Sequence, residues 1–332
     1  MMSTILERQA EVSSLFKRMN KNNQMQHAYI FEGVSGVGKY EMAKWVAQLQ
    51  YCLNPTEEGG ACLECNQCLR IESEEHPDVV TLRPDGASIK VDQVRQIKED
   101  FSKSGMESRK KILIVQEMDK ITVSAANSLL KFIEEPEGEI TIMLLTTEVQ
   151  KLLPTILSRC QIIHFPVRNV EDRVADIVAR GIPRESATVL AYLTQDTDFA
   201  KAIHESEDFQ KNLQTVWQWF LLLNKNSDQA FIYVQTNLMA LVTNRESSEL
   251  ILDLLIILYR DLMGLCFEQE RLVAFSKYED QLQALATSSM ANNIAKILSV
   301  ILESQKKLSS YVAAQGIFEQ IALKMKDYEN RI

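Results

Sequence analysis

The stretch "GVSGVGKY", Gly33 to Tyr40, carries a glycine, four residues and then Gly-Lys. That is the spacing of a phosphate-binding loop, in which backbone N–H groups at a helix start cradle phosphates and the lysine reaches the outer ones. Gly33, Gly36, Gly38 and Lys39 are therefore the candidate nucleotide-binding residues. Tyr40 stands where such a loop ends in Ser or Thr, whose hydroxyl holds the nucleotide's magnesium. The second protein ligand should be an Asp at the end of the next apolar strand. There "KILIVQEMD", Lys111 to Asp119, puts Gln116, a neutral amide that suits a hard dication poorly, followed by Glu117. Glu117 reads either as a water-orienting base or as a strand-end carboxylate in a hydrogen-bond network. The loop reads as a nucleotide cradle without a magnesium anchor, or as a tight strand-to-helix turn with no ligand.

A second constellation lies in "CLNPTEEGGACLECNQC", where Cys52, Cys62, Cys65 and Cys68 are separated by gaps of nine, two and two residues. Four thiolates so close in sequence can close a tetrahedral zinc shell that leaves no position for water, which makes the metal structural. Four reduced thiols or a redox pair are the competing readings. Cys160 and Cys266 sit among apolar residues and are expected to be buried thiols. In "LPTILSRCQ", Arg159 ends a short helix and reads by residue type as a helix-capping cation. The histidines, His27, His76, His164 and His204, have no ligand spacing, and Trp217 and Trp219 are expected to serve packing.

These residues need elements to hold them. "AYIFEG" predicts a strand entering the loop and "EMAKWVAQLQYCL" the helix leaving it. "KILIVQEMD" predicts a second strand, "TVSAANSLLKFIEE" a helix closed by Pro136, "EITIMLLTT" a third strand, "PTILSRC" a short helix and "QIIHFPV" a further strand. Strands alternating with helices imply a parallel sheet covered on both faces. From about residue 170 onward only amphipathic helices are expected. At 332 residues the chain is long enough for two or three domains. Its composition, 46% hydrophobic and 24% charged, is that of an ordinary globular protein. The longest apolar run, Leu250 to Tyr259, is broken by Asp253 and is too short for a membrane span. The N-terminal residues mix charge into helical periodicity without a signal peptide's apolar block, so the expected location is the cytoplasm. A net charge of -9 argues against a surface that grips DNA throughout. The cysteine stretch, with Arg70 as the only cation against six Glu from Asn54 to His76, argues the same of a zinc-dependent nucleic-acid binder, which stands as an alternative.

Taken together, "QHAYIFEGVSGVGK", the four-cysteine insertion, "AANSLLKFIEEPEG", "LLPTILSRCQIIHF" and "SSYVAAQGIFEQIAL" resemble the delta-prime subunits of bacterial DNA polymerase III clamp loaders, of the AAA+ family. The resemblance implies an α/β AAA+ domain over residues 1–167 with a zinc module at about 52–68. A small helical lid would span 168–207 and an all-α collar 208–332. It implies an accessory, largely rigid subunit of the DNA-directed DNA polymerase III holoenzyme that is no enzyme by itself. Its partners would be the gamma or tau ATPase subunits and the delta subunit, with the sliding clamp and primed DNA reached through the assembled complex. In this family the Ser-Arg-Cys triplet, here Ser158 to Cys160, carries an arginine that reaches the neighbouring subunit's ATP site, which would make Arg159 act in trans. Lys201 aligns with an arginine by which active subunits sense the γ-phosphate. With Tyr40 and Gln116 this makes a degenerate ATP site; a self-sufficient ATPase related to gamma or tau is the alternative.

Overall fold

The computed structural model describes residues 2–102, 110–135, 138–225, 228–267, 269, 271–287, 291–308 and 312–329. Its contacts divide the chain into two units, Met1–Arg168 and Asn169–Ile332. Pro136, expected to close a helix, and Ser309 to Tyr311, expected to open the last one, lie outside the described residues.

The first unit begins with helices α1 (Met2–Arg8) and α2 (Ala10–Lys21) and continues through β1 (Ala28–Glu32), α3 (Lys39–Tyr51), α4 (Asn66–Glu72) and β2 (Val79–Leu82). It ends with α5 (Val91–Ser102), β3 (Lys110–Val115), α6 (Val123–Glu134), β4 (Glu139–Thr146), α7 (Pro154–Leu157) and β5 (Gln161–His164). The strands form one parallel sheet in the order β2-β3-β4-β1-β5. Side chains alternate between its two faces. Tyr29, Phe31, Ile112, Ile114, Met143 and Leu145 pack on one side with Trp45 and Val46 of α3. Ala28, Ile30, Leu113, Val115, Ile142 and Leu144 pack on the other with Leu129 and Ile133 of α6. Burial on both faces is why these strands read as continuous apolar runs and not as alternating ones. The sheet is a parallel α/β sheet covered on both faces, as expected, with its glycine loop between β1 and α3. β1 lies between β4 and β5, so the loop leaves the sheet where the strand order reverses, a place where doubly wound sheets bind ligands.

Two expectations need correction. The strand through Asp119 is shorter: β3 stops at Val115, Glu117 turns the chain with a left-handed φ of 49°, and Met118–Lys120 make a 3-10 turn. Beside the four expected strands there is a fifth, β2. Its four residues lie at the sheet edge and are too few to show a period.

Among its described residues the second unit is helical: α8 (Val170–Ala179), α9 (Arg184–Leu193), α10 (Thr197–Glu205), α11 (Phe209–Asn224), α12 (Gln229–Tyr233), α13 (Arg245–Cys266), α14 (Glu279–Leu285), α15 (Ala291–Leu308) and α16 (Ala314–Glu329). Val174, Ile177, Leu190, Ala200 and Phe209 form one apolar cluster. A larger one gathers Trp217, Trp219, Phe220, Leu255, Leu258, Ile301 and Phe318. Trp217 and Trp219 are buried in it, as packing residues. No helix among the described residues is long and apolar enough to cross a membrane.

Candidate functional site

The loop from Gly33 to Lys39 follows β1 and opens α3, with Gly38 as the helix N-cap at φ 91° and Gly36 at φ 77°. L side chains rarely adopt such angles, so two of the glycines are fixed by backbone shape. Packing fixes a third: a Cβ on Gly33 would lie 2.9 Å from the Phe165 carbonyl oxygen. The N-terminal helices press on the loop from one side. A Cβ on Gly38 would meet Ile5 Cδ1 at 1.9 Å, and Gln9 Nε2 donates to the Val37 carbonyl (3.1 Å) and to the Pro166 carbonyl (3.2 Å). Lys39 folds back into the loop and donates to the carbonyls of Gly33 (2.5 Å) and Val34 (2.8 Å). Burial lowers the Lys39 ammonium's pKa, and the charges of Asp119 and Glu41 oppose that shift. An incoming phosphate would have to draw Lys39 away from both carbonyls.

The position of the magnesium hydroxyl has another use here. Tyr40 Oη accepts a hydrogen bond from Arg83 Nη2 (3.0 Å) and lies 3.4 Å from Thr81 Oγ1 at the end of β2. The same Arg83 nitrogen contacts both Glu74 carboxylate oxygens, at 2.7 and 2.8 Å. Arg83 and Lys44 each lie 5.4 Å from the centre of the Tyr40 ring. Burial pushes the Tyr40 hydroxyl up to about 12, so it stays protonated. Gln116 follows β3, its backbone N–H bonded to the Leu82 carbonyl (2.9 Å). Glu117 pairs with Lys120. Of the two carboxylates in electrostatic reach of Lys39, Glu41 lies on α3 and Asp119 is held by Thr146 Oγ1 (3.0 Å) and the Thr147 N–H (3.2 Å). Sequence reading missed Asp119 because it extended the strand through that residue.

The four sulfur atoms of Cys52, Cys62, Cys65 and Cys68 lie within 4.8 Å of one another, with Cys62 and Cys68 at 4.0 Å. A tetrahedral zinc with Zn–S bonds of ~2.3 Å needs S–S edges of about 3.8 Å, so the cluster is close to that shell. The backbone prepares it: Cys62 N–H donates to Cys52 Sγ (3.2 Å), Cys65 N–H to Cys62 Sγ (3.3 Å), and Leu63 between them is left-handed at φ 64°. Burial pushes the Cys65 thiol up, but N–H groups of Leu53 and Cys68 with the neighbouring thiols outweigh it and bring it down to about 6. N–H groups of Glu64 and Cys65 lower Cys62, whereas burial raises Cys52 and Cys68. Three side chains one turn apart tie α3 to the segment that follows the cysteines. Gln48 donates to the Cys68 carbonyl (2.9 Å), Lys44 pairs with Glu72 (3.2 Å), and Tyr40 reaches Glu74 through Arg83.

Arg159 lies just past α7, which starts at Pro154. Its Nη1 donates to the Thr155 carbonyl (3.0 Å) and to Ser158 Oγ (3.2 Å), so it does cap its own helix. Its Nη2 also meets Glu134 Oε1 at 2.6 Å, and the arginine side chain remains 40% exposed. Sequence reading missed Glu134, which has no spacing relation to Arg159. Cys160 and Cys266, expected to be buried, are half-buried; burial nonetheless raises the Cys160 thiol to about 12. Lys201 lies in the second unit, on α10, paired with Glu205 (3.6 Å).

A family model described as DNA polymerase III, delta subunit, matches residues 8–169. The DNA polymerase III subunit delta' of Bacillus subtilis strain 168 is 33% identical over 326 residues, covering 97% of each chain. The protein of the same name from Pseudomonas aeruginosa PAO1 is 34% identical over 183 residues, 54% of this chain and 55% of its own. The DNA polymerase III subunit tau/gamma of Haemophilus influenzae Rd is 32% identical over 167 residues, 50% of this chain and 24% of its own. With a relative of that identity along nearly its whole length, and the glycine loop, cysteine cluster and arginine described above, the chain belongs to the family of DNA polymerase III delta' subunits.

Proposed function

We propose that this chain is a largely rigid subunit of the clamp loader of bacterial DNA polymerase III, that it does not turn over ATP itself, and that it supplies Arg159 to the ATP site of a neighbouring gamma or tau subunit. The observation that carries the reading is the guanidinium of Arg159. It is anchored on its own helix through Nη1, yet it is 40% exposed, and the partners it has among the described residues, Thr155, Ser158 and Glu134, are themselves exposed. A planar fork so placed can donate to phosphate oxygens across a subunit boundary, and such an arginine stabilises the charge that develops on a transferred phosphoryl group. The delta subunit, the sliding clamp and primed DNA are the further partners in this reading, met in the assembled loader.

Tyr40 and Gln116 support the inactive half of the proposal. Neither offers magnesium the oxygen that the loop chemistry asks of its position, and Tyr40 is committed to Arg83. Gly33, Gly36, Gly38 and Lys39 keep the cradle's shape, which leaves nucleotide binding without turnover as the most this site would do. Zinc on Cys52, Cys62, Cys65 and Cys68 would have a structural task, since four sulfur ligands leave no open position. We further assign residues 168–207 as a lid and 208–332 as a collar; the two apolar clusters centred on Val174 and on Trp219 support two packing centres, with Phe209 and Val189 each joining the cluster across that boundary.

The test is steady-state hydrolysis by complexes reconstituted with each variant, with assembly checked by gel filtration. Arg159→Ala is expected to assemble normally and to lower the DNA- and clamp-stimulated rate, with Arg159→Lys recovering only part. Wild-type hydrolysis by a fully assembled Arg159→Ala complex would leave Arg159 as a helix cap. Hydrolysis by the chain alone, lost in Lys39→Ala, would favour the self-sufficient ATPase.

A further inference from the structure

We infer that Glu134 is the resting partner of Arg159: it holds the guanidinium in cis and must be exchanged for phosphate before the arginine can act on a neighbour. The inference rests on the trans role proposed for Arg159 and adds a residue that controls it.

Glu134 is the last residue of α6, and its Oε1 lies 2.6 Å from Arg159 Nη2. Helix stability does not account for a carboxylate there. The last turn of a helix carries the negative end of its dipole, which favours a cation such as Lys131, also in that turn, and disfavours an acid. The group that offsets this is Arg159. Of the five N–H donors of its guanidinium, Nη1 directs two at Thr155 and Ser158 and Nη2 directs one at Glu134. The Nη1 bonds are local and move with α7. The contact with Glu134 is the bond of this guanidinium that reaches from the end of α7 to α6, and it competes for the charge that a phosphate would need.

The pair is well suited to exchange. Arg159 is 40% and Glu134 37% exposed, so water screens the pair and neither partner is stranded when it opens. Exposed pairs of this kind shift an equilibrium by at most about fivefold. A nucleotide phosphate carries more charge than one carboxylate and can accept the freed Nη2–H together with Nε–H. Glu134 thus acts as a positioning residue that keeps the fork ordered and charge-matched while the chain is unassembled.

The experiment uses the reconstituted loader in which the ATPase subunit adjoining Arg159 is the only one with an intact phosphate-loop lysine. Glu134→Gln removes the charge and keeps the shape; Glu134→Ala is the second variant, and thermal unfolding confirms that both fold. Release of a competing carboxylate is expected to lower KM for ATP by about two- to fivefold with kcat unchanged, and to do nothing in an Arg159→Ala background. A lower kcat at unchanged KM, or the same effect with and without Arg159, overturns the inference. If Arg159→Ala lowers hydrolysis while both Glu134 variants behave as wild type, the exchange is wrong and the trans role stands. If Arg159→Ala itself changes nothing, both fail.

Discussion

Replacing Tyr40 by threonine restores the hydroxyl that a magnesium-binding loop carries at this position, and the surroundings of Tyr40 set what the exchange costs. Threonine loses the hydrogen bond from Arg83 to Oη (3.0 Å) and the placement of Arg83 and Lys44 over the ring, both at 5.4 Å. A net hydrogen bond contributes about 1 kcal/mol, and each cation over an aromatic face at a half-exposed site about 0.5 kcal/mol. Arg83 keeps Glu74 and Lys44 keeps Glu72, so no charge is orphaned, and the ring's lost apolar contact with its core cluster makes the sum of these terms a lower bound. The sum is about 2 kcal/mol. In a unit of this size that lowers Tm by roughly 4–8 °C. Tyr40→Phe keeps the ring and is expected to lose about half as much. The assay is thermal unfolding of both variants, followed by magnesium-dependent nucleotide binding in the double variant Tyr40→Thr, Gln116→Asp, which supplies both missing oxygens and is expected to gain affinity. A Tyr40→Thr protein that melts with wild type, or one that loses no more than Tyr40→Phe, would refute the view that this side chain ties α3 to the end of β2.

Two further outcomes are expected. One zinc per chain should be found by elemental analysis, and Cys65→Ser should abolish it; hydrogen exchange should then quicken over residues 52–72 and along the Gln48 face of α3, while α13 and α15 stay protected, and a metal-free wild-type protein would count against the assignment. In the second unit burial and the charge of Glu249 push Asp253, which accepts a hydrogen bond from Gln305 (2.6 Å), up to about 6. A folded-state value above the unfolded ~3.9 means that the native chain takes up a proton as pH falls and loses stability as pH rises through about 6. Asp253→Asn should therefore stabilise at pH 8 by about 1–2 kcal/mol, discounted for the water that still reaches the side chain, and the gain should vanish near pH 4; equal gains at both pH values would exclude a titrating Asp253.

The sequence by itself determined what local spacing controls. Gly33 to Lys39 fixed a phosphate-loop turn because positive φ and close packing admit only glycine there. The gaps between Cys52, Cys62, Cys65 and Cys68 fixed a four-sulfur cluster because its ligands need only a short chain to meet. The apolar runs from Ala28, Lys110 and Glu139 fixed a sheet buried on both faces. Tertiary structure decided what depends on residues distant in sequence. β2 became a strand because β3 offers it a parallel edge, which four residues cannot announce. Glu117 turned the chain after β3, and Asp119 beyond that turn came within electrostatic reach of Lys39. Tyr40 found Arg83 and Glu74, and Arg159 found Glu134, through contacts between segments distant in sequence that no period records. Spacing along a chain reports which face of an element is apolar or which ligands are near neighbours. Pairing between elements is set by how the sheet orders them, and that order exists only once the chain has folded.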